Sequence, residues 1–244
     1  MPRVDFVTLF PEMVRPALEH SILGRASAAG LVEFRTANPR DFCHDRHSKV
    51  DDKPFGGEPG MLIRAEPVAR ALEWLESPKP KTQKPKSAIV LTAPTGRQFD
   101  QVAARELASY DQIVFLCGHY EGIDHRIEER FCTHVFSIGD YVLTNGELPA
   151  LVMADAIVRL LPGVLGSSAS LDADSFSDGL LSAPNYTRPE TWRGMDVPPV
   201  LLSGDHKAIQ TWRRTHALTL TRSLRPDLFA RVKLQKTDLE ILKD

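Results

Sequence analysis

The sequence lacks the features of membrane-spanning proteins and of secreted, disulfide-linked ones. No apolar run approaches the length of a membrane span. The three cysteines, Cys43, Cys117 and Cys132, are odd in number and do not have metal-site spacing. A reducing cytoplasm is the simplest account of them. The N-terminal ten residues place Asp5 inside an apolar stretch, which predicts a first strand and not a signal peptide.

Length and composition are those of a globular protein. The chain has 244 residues, of which 42% are hydrophobic and 25% charged, with a formal net charge of −2. This length fits one large domain or a large domain with a smaller one.

Three segments share one pattern, in which an apolar run ends in a turn that contains glycine and a helical pattern follows. The runs with their turns are Ala88–Arg97, Gln112–Gly122 and Cys132–Gly146, and the helical patterns are Asp100–Ser109, Ile123–Phe131 and Glu147–Leu161. Strands that alternate with helices predict an α/β fold with a mostly parallel sheet.

The turns at the ends of these runs predict a ligand site. Ligands in open α/β sheets bind beyond the carboxyl ends of the strands. Three such turns at one edge could surround an elongated small molecule, and the alternative is that they are ordinary strand-to-helix connections. None of them matches the G-x-G-x-x-G or G-x-x-x-x-G-K pattern, so a Rossmann or P-loop site has no direct support.

The C-terminal part has a different composition. We predict a first domain over residues 1–165, a linker rich in Ser, Asp and Gly over residues 166–178, and a small all-helical domain over residues 179–244. Helical patterns cover Gly204–Leu220 and Pro226–Lys243. Between His206 and Lys236 there are eight Lys and Arg against one Asp, a charge of +7 with histidine neutral. This segment suits a polyanion, and the alternative is an ordinary solvated helix face.

A long charged segment interrupts the first domain at residues 38–61, and irregular segments of this length are usually functional or disordered. His44, Asp45 and His47 fall within it, but the pattern offers no fourth ligand at a recognisable spacing. Local ion pairs explain these charges better, and we predict no metal site.

Several longer motifs resemble the bacterial tRNA (guanine-N1)-methyltransferases. They are P-R-D-F-C-H-D-R-H from Pro39, V-D-D-K-P-F-G-G-E-P-G-M from Val50, C-G-H-Y-E-G-I-D from Cys117, S-I-G-D-Y-V-L from Ser137, N-G-E-L-P-A from Asn145, P-G-V-L-G from Pro162, N-Y-T-R-P-E from Asn185 and V-P-P-V-L-L-S-G from Val197. They follow one another in order over nearly the whole chain.

The resemblance implies a function and a fold. It implies methyl transfer from S-adenosylmethionine to N1 of the guanosine immediately 3′ of the tRNA anticodon. It also implies a SPOUT-type fold with a deep trefoil knot, an exception to the rule that chains do not thread loops. The family resemblance further implies an antiparallel homodimer with shared active sites, and it leaves any role of Mg²⁺ unspecified.

The resemblance also implies site residues. The cofactor-binding residues it implies are Leu91, Thr92, Ala93, Pro94, Thr95, Gly118, Tyr120, Glu121, Ile138, Gly139, Asp140, Tyr141, Val142, Leu143, Asn145, Gly146 and Pro149. It implies Asp174 as the catalytic base, Arg159 as the stabilising cation and Glu121 as a positioning group. Two alternatives remain: a SPOUT-type enzyme that acts on another RNA nucleotide, and an RNA-binding protein without catalytic activity.

Overall fold

A computed structural model describes residues 1–76, 86–166 and 173–243, which form two compact units, Met1–Gly166 and Ser167–Asp244. The strands of the first unit are β1 (Arg3–Val7), β2 (Glu33–Ala37), β3 (Asp51–Asp52), β4 (Leu62–Ile63), β5 (Ser87–Gln98), β6 (Gln112–Cys117) and β7 (His134–Ser137). Its helices are α1 (Pro11–Glu19), α2 (Ser21–Ala28), α3 (Ala65–Glu76), α4 (Gln101–Leu107), α5 (His125–Phe131) and α6 (Glu147–Val158), with a 3-10 turn at Pro39–Phe42.

Five of these strands form one parallel sheet in the order β2-β1-β6-β5-β7. All six residues of β6 are buried, as expected for a continuous apolar run in the middle of a sheet covered on both faces. Residues of α1, α2, α4 and α6 pack in one core cluster, and residues of α3 and α5 pack in the other. The α/β class and the mostly parallel sheet are confirmed.

Strand β5 extends further than the sequence indicates. Pro94 and Gly96 predict its end, yet the strand continues to Gln98 after a shift in register against β7 between Thr92 and Arg97. The residues between them leave the regular ladder, where a proline is tolerated. A Cβ on Gly96 would lie 2.5 Å from the backbone nitrogen of Phe136, so only glycine allows this approach.

The described part of the second unit contains β8 (Thr191–Trp192), β9 (Met195–Asp196), α7 (Pro199–Leu202), α8 (His206–Leu224), α9 (Pro226–Phe229) and α10 (Lys236–Ile241). The prediction of an all-helical unit is therefore wrong at the β8–β9 hairpin. Both residues of its tight turn, Arg193 and Gly194, have positive φ angles of 53° and 80°. Such turns usually carry Asn-Gly or Asp-Gly, which explains why the sequence gives no hairpin signal here.

The predicted linker, residues 166–178, falls partly on residues 167–172, which lie outside the described residues. Its last residues are hydrogen-bonded within the second unit. The backbone N–H of Phe176 donates to the carbonyl of Leu180 at 2.7 Å, and the carboxylate of Asp178 accepts from Arg214. Arg214 also donates to Asp238 at 2.7 Å between Nε and Oδ1.

Candidate functional site

The turns after β5, β6 and β7 meet at one edge of the sheet, because these three strands are neighbours and parallel. They enclose a cavity of about 470 Å³, within the roughly 300–1,000 Å³ usual for small-molecule sites. Of the residues that the resemblance implies, those lining it are Leu91, Thr92, Ala93, Pro94, Thr95, Gly118, Tyr120, Glu121, Ile138, Gly139, Tyr141, Val142, Leu143, Asn145, Gly146 and Pro149. Asp140 is not among the lining residues.

The backbones of the three turns contact one another closely around Gly146. The N–H of Gly146 donates to the carbonyl of Gly118 at 2.9 Å, and the hydroxyl of Thr92 lies 3.3 Å from the carbonyl oxygen of Gly146. A Cβ at this position would lie 2.5 Å from Oγ1 of Thr92 and 2.6 Å from the nitrogen of Gly118. Glycine is therefore required for this packing.

The turn after β6 forms one wall of the cavity and adopts a strained conformation. Tyr120 has a φ of +58°, in the left-handed region that non-glycine residues rarely adopt. The N–H of Gly122 donates to the carbonyl of His119 at 2.9 Å, which closes the turn. The N–H of Glu121 donates to the carbonyl of Met61 at 3.0 Å, so the charged segment of residues 38–61 ends beside the cavity.

The list of implied cofactor-binding residues omits eight residues that line the cavity. They are His119, Gly122, Ile123, His125, Glu128, Phe136, Ser137 and Thr144. All except Glu128, on α5, lie within five residues of an implied site residue, so their positions in the chain are a usable signal. The imidazole of His125 lies 3.6 Å from Glu128 and 3.7 Å from Glu129.

None of the three cysteines, which are all free, has the environment of a thiolate nucleophile. Burial raises the pKa of Cys117 well above its ordinary value, and the nearby carboxylate of Glu147 adds to the effect. Burial also raises the pKa of Cys132 to about 12, with Glu128 contributing, and raises that of Cys43. A buried structural thiol at Cys117 fits these surroundings.

Arg159 and Asp174 do not line this cavity. Arg159 is the C-cap of α6, and its N–H donates to the carbonyl of Asp155. Helix α6 begins at the cavity with Glu147, so Arg159 lies twelve residues and roughly 18 Å further along the helix. Asp174 is half-buried and belongs to the second unit.

In residues 1–76, 86–166 and 173–243, no group of three or more His, Cys, Asp or Glu side chains could hold a metal ion. In the predicted loop, the Asp45 carboxylate accepts from the N–H groups of His47 and Lys49, both at 3.0 Å. These backbone bonds, above all that from Lys49, lower the pKa of Asp45, and they indicate a turn-closing residue. Across the same ranges, no helix combines the length and apolar character that a bilayer crossing requires.

The eight Lys and Arg residues between His206 and Lys236 divide into two groups. Arg214 and Arg225 form ion pairs, Arg214 with Asp178 and Asp238 and Arg225 with Asp227. The remaining six side chains are exposed: Lys207, Arg213, Arg222, Arg231, Lys233 and Lys236. The expectation of one basic face of eight residues therefore has to be reduced to these six.

The geometry defines an α/β protein with a small-molecule cavity beyond three adjacent parallel strands. The family model described as tRNA (Guanine-1)-methyltransferase TrmD matches residues 2–231. Proteins named tRNA (guanine-N(1)-)-methyltransferase from Geobacter sulfurreducens and Staphylococcus carnosus are each 49% identical, over 240 and 242 residues. These alignments cover 98% and 99% of this chain and 96% of each relative.

The chain therefore belongs to the tRNA (guanine-1)-methyltransferase family. The match confirms the family that the motifs predict. It also identifies the protein as an enzyme that methylates N1 of guanine in tRNA.

Proposed function

We propose that this enzyme binds S-adenosylmethionine in the cavity beyond β5, β6 and β7 and transfers its methyl group to the guanosine immediately 3′ of the tRNA anticodon. The observation that carries the proposal is the convergence of the three turns on one cavity of small-molecule size. Its lining combines apolar side chains with the backbone of several glycines, which suits a partly apolar cofactor. We further propose that the three turns belong to a SPOUT-type trefoil knot.

The reaction requires groups that act on guanine. The N1 atom of neutral guanine carries a proton, and it becomes nucleophilic when that proton is removed. In the proposed mechanism, a carboxylate oxygen of Asp174 takes this proton. Negative charge then spreads to O6, where the guanidinium of Arg159 stabilises it. Bound S-adenosylmethionine would supply an electrophilic methyl group on sulfur, and S-adenosylhomocysteine would be the leaving group.

The mechanism also requires that the guanine is positioned and that water is excluded from the reacting groups. Glu121, at the cavity wall, helps to orient the guanine so that N1 faces the methyl carbon. The guanine has to leave its stack in the RNA to reach that position. Enclosure by the RNA would exclude water from the reacting groups.

The exposed face of α6 supports a homodimer with shared active sites. Leu148 and Val152 are 49% and 53% exposed, and Asp155 follows on the same face before Arg159. Two exposed apolar side chains one turn apart on a mostly apolar helix favour a partner on that face. In an antiparallel two-fold pairing, the cavity end of one α6 meets the Arg159 end of the other. The roughly 18 Å that separate Arg159 from its own cavity are then no obstacle.

The second unit supplies the proposed RNA-binding surface. The six exposed Lys and Arg side chains named above, from Lys207 to Lys236, can neutralise tRNA phosphates. The three free cysteines suit a reducing compartment, and we propose the cytoplasm. The proposal assigns no role to Mg²⁺.

Methyl transfer to tRNA transcripts tests the proposal. Radiolabelled S-adenosylmethionine is offered with a transcript that carries guanosine 3′ of the anticodon and with one that carries adenosine there. We expect incorporation only in the first transcript, and nuclease mapping should assign the label to that guanosine. Equal labelling of both transcripts would show that another nucleotide is the target. Absence of labelling in both would refute the proposed donor or substrate.

A further inference from the structure

Glu147 is a fully buried carboxylate beside the cavity, although it does not line it. The hydroxyl of Thr8 donates to its Oε1, and Nε2 of His119 lies 2.9 and 2.8 Å from its two oxygens. Burial of a carboxylate is unfavourable unless such bonds compensate it, and an apolar side chain of similar size is often no less stable. Stability alone therefore does not account for an acid at this position.

The bonds of Glu147 connect three segments of the first unit. Thr8 follows β1, His119 follows β6, and Glu147 is the first residue of α6. Only His119 among them lines the cavity, and its ring packs against Phe10 with 4.8 Å between ring centroids. The carboxylate of Glu147, which does not line the cavity, therefore fixes the orientation of the His119 ring, which does.

His119 also begins the strained turn of the cavity wall. Tyr120, the next residue, has the left-handed conformation described above, and the carbonyl of His119 accepts the bond that closes the turn. A strained residue persists only where its surroundings hold it. The fixed side chain of His119 is one of those restraints, and the backbone bridge between His119 and Asn145 is another.

We propose that Glu147 is a positioning residue that acts through His119 to hold the Gly118–Gly122 turn in the shape of the cavity wall, and that it thereby sets the affinity for the cofactor. Nε2 of His119 lies within hydrogen-bond distance of both carboxylate oxygens, so one N–H from the ring suffices for the restraint. The inference rests on the proposed S-adenosylmethionine site.

A double-mutant cycle tests the inference on the full chain. The variants are Glu147→Gln, His119→Phe and their combination, since phenylalanine keeps a ring against Phe10 without the N–H donor. Asp5→Asn is the control, because Asp5 is another fully buried carboxylate, bonded to Arg3 and Gln112, and is not a cavity residue. The readouts are calorimetric binding of S-adenosylhomocysteine, the KM and kcat of methyl transfer, and amide hydrogen exchange without ligand.

We expect each single variant to weaken binding about tenfold and to raise KM for the donor, with kcat at saturation nearly unchanged. The double variant should bind no more weakly than His119→Phe, because Glu147 acts through that ring. Exchange of the amides of residues 118–122 should accelerate about tenfold in all three variants and stay unchanged in Asp5→Asn.

Three results would overturn the inference. One is a folded Glu147→Gln variant that binds S-adenosylhomocysteine as tightly as the wild-type chain and differs only in a lower melting temperature. Glu147 would then stabilise the fold without affecting the cavity. Another is a loss of affinity in the double variant that equals the product of the two single losses, because the two residues would then act independently. The third is unchanged exchange at residues 118–122. If the wild-type chain binds no S-adenosylhomocysteine, the cofactor assignment fails, and hydrogen exchange still decides whether Glu147 restrains the turn through His119.

Discussion

Replacement of Gly146 by alanine should damage the cavity through a contact that the structure specifies. The added Cβ would lie 2.5 Å from Oγ1 of Thr92, 2.6 Å from the nitrogen of Gly118 and 2.7 Å from Cα of Cys117. Side chains that are too large for a packed site typically cost about 1–3 kcal/mol. Two of these three atoms belong to the backbone and cannot rotate away, so we expect about 3 kcal/mol, the upper end of that range.

Thermal unfolding measures this loss. For a chain of this size, about 3 kcal/mol corresponds to a fall in melting temperature of about 6–12 °C. The same displacement separates the turns that line the cavity, so the affinity for S-adenosylhomocysteine should fall at least about tenfold.

Gly118→Ala is the matched control for stability. Its Cβ would meet Cα of Gly122 at 3.7 Å and Cγ1 of Ile123 at 3.9 Å, which are ordinary contacts. Its free energy of unfolding should therefore stay within about 0.5 kcal/mol of the wild-type value. Equal melting temperatures for Gly146→Ala and the wild-type chain would refute the argument that close backbone approach requires glycine here.

Three further predictions concern the dimer, the catalytic base and the RNA-binding surface. Val152→Lys should place a charge in the proposed interface, so that light scattering reports the 27.2 kDa monomer and methyl transfer is lost; an active monomer would contradict the shared site. Asp174→Ala should lower the single-turnover rate at least about 100-fold with cofactor affinity unchanged, and substantial retained turnover would remove Asp174 from the base role. Arg213→Gln should reduce the salt dependence of tRNA binding by about one phosphate contact, whereas Arg214→Gln should mainly destabilise the second unit. Because the bond from Arg214 lowers the pKa of Asp238, the stability from this pair is present above the unfolded-state pKa of about 4 and is lost as pH falls further. Urea unfolding from pH 7 to 2 should show that loss in the wild-type chain and less of it in Arg214→Gln.

The sequence predicts those parts of the fold whose signal is local. The buried runs of β5 and β6 and the glycines after them suffice to predict strands, turns and their common edge, because parallel neighbours end on the same side. The path of residues 93–96 is not predictable in this way. It depends on the approach of Gly96 to Phe136, a contact between segments far apart in the chain. The hairpin at Arg193 and Gly194 was missed because its turn residues are unusual for that conformation.

Charge patterns predict less than strand patterns, because a charge count does not show which charges are paired. Arg213 and Arg214 are equivalent in the sequence, yet Arg213 is exposed whereas Arg214 donates to the buried carboxylate of Asp238. Their difference arises from helical geometry, which directs neighbouring residues to different faces. Only the structure separates an exposed arginine of the proposed RNA-binding surface from one that holds the second unit together.

Within one chain, the proposed catalytic residue Arg159 lies far from the cavity. Arg159 ends a helix whose other end borders the cavity, and no local property of residues 147–159 indicates that the two ends act together. The exposed apolar residues Leu148 and Val152 favour a second helix on that face, which would bring another copy of the chain next to the cavity. If two copies pair antiparallel there, each site receives the cavity end of one helix and the arginine end of the other. Dimerisation would then be a condition of the chemistry itself, and any change that separates the two α6 helices should remove methyl transfer even where each cavity still binds its cofactor.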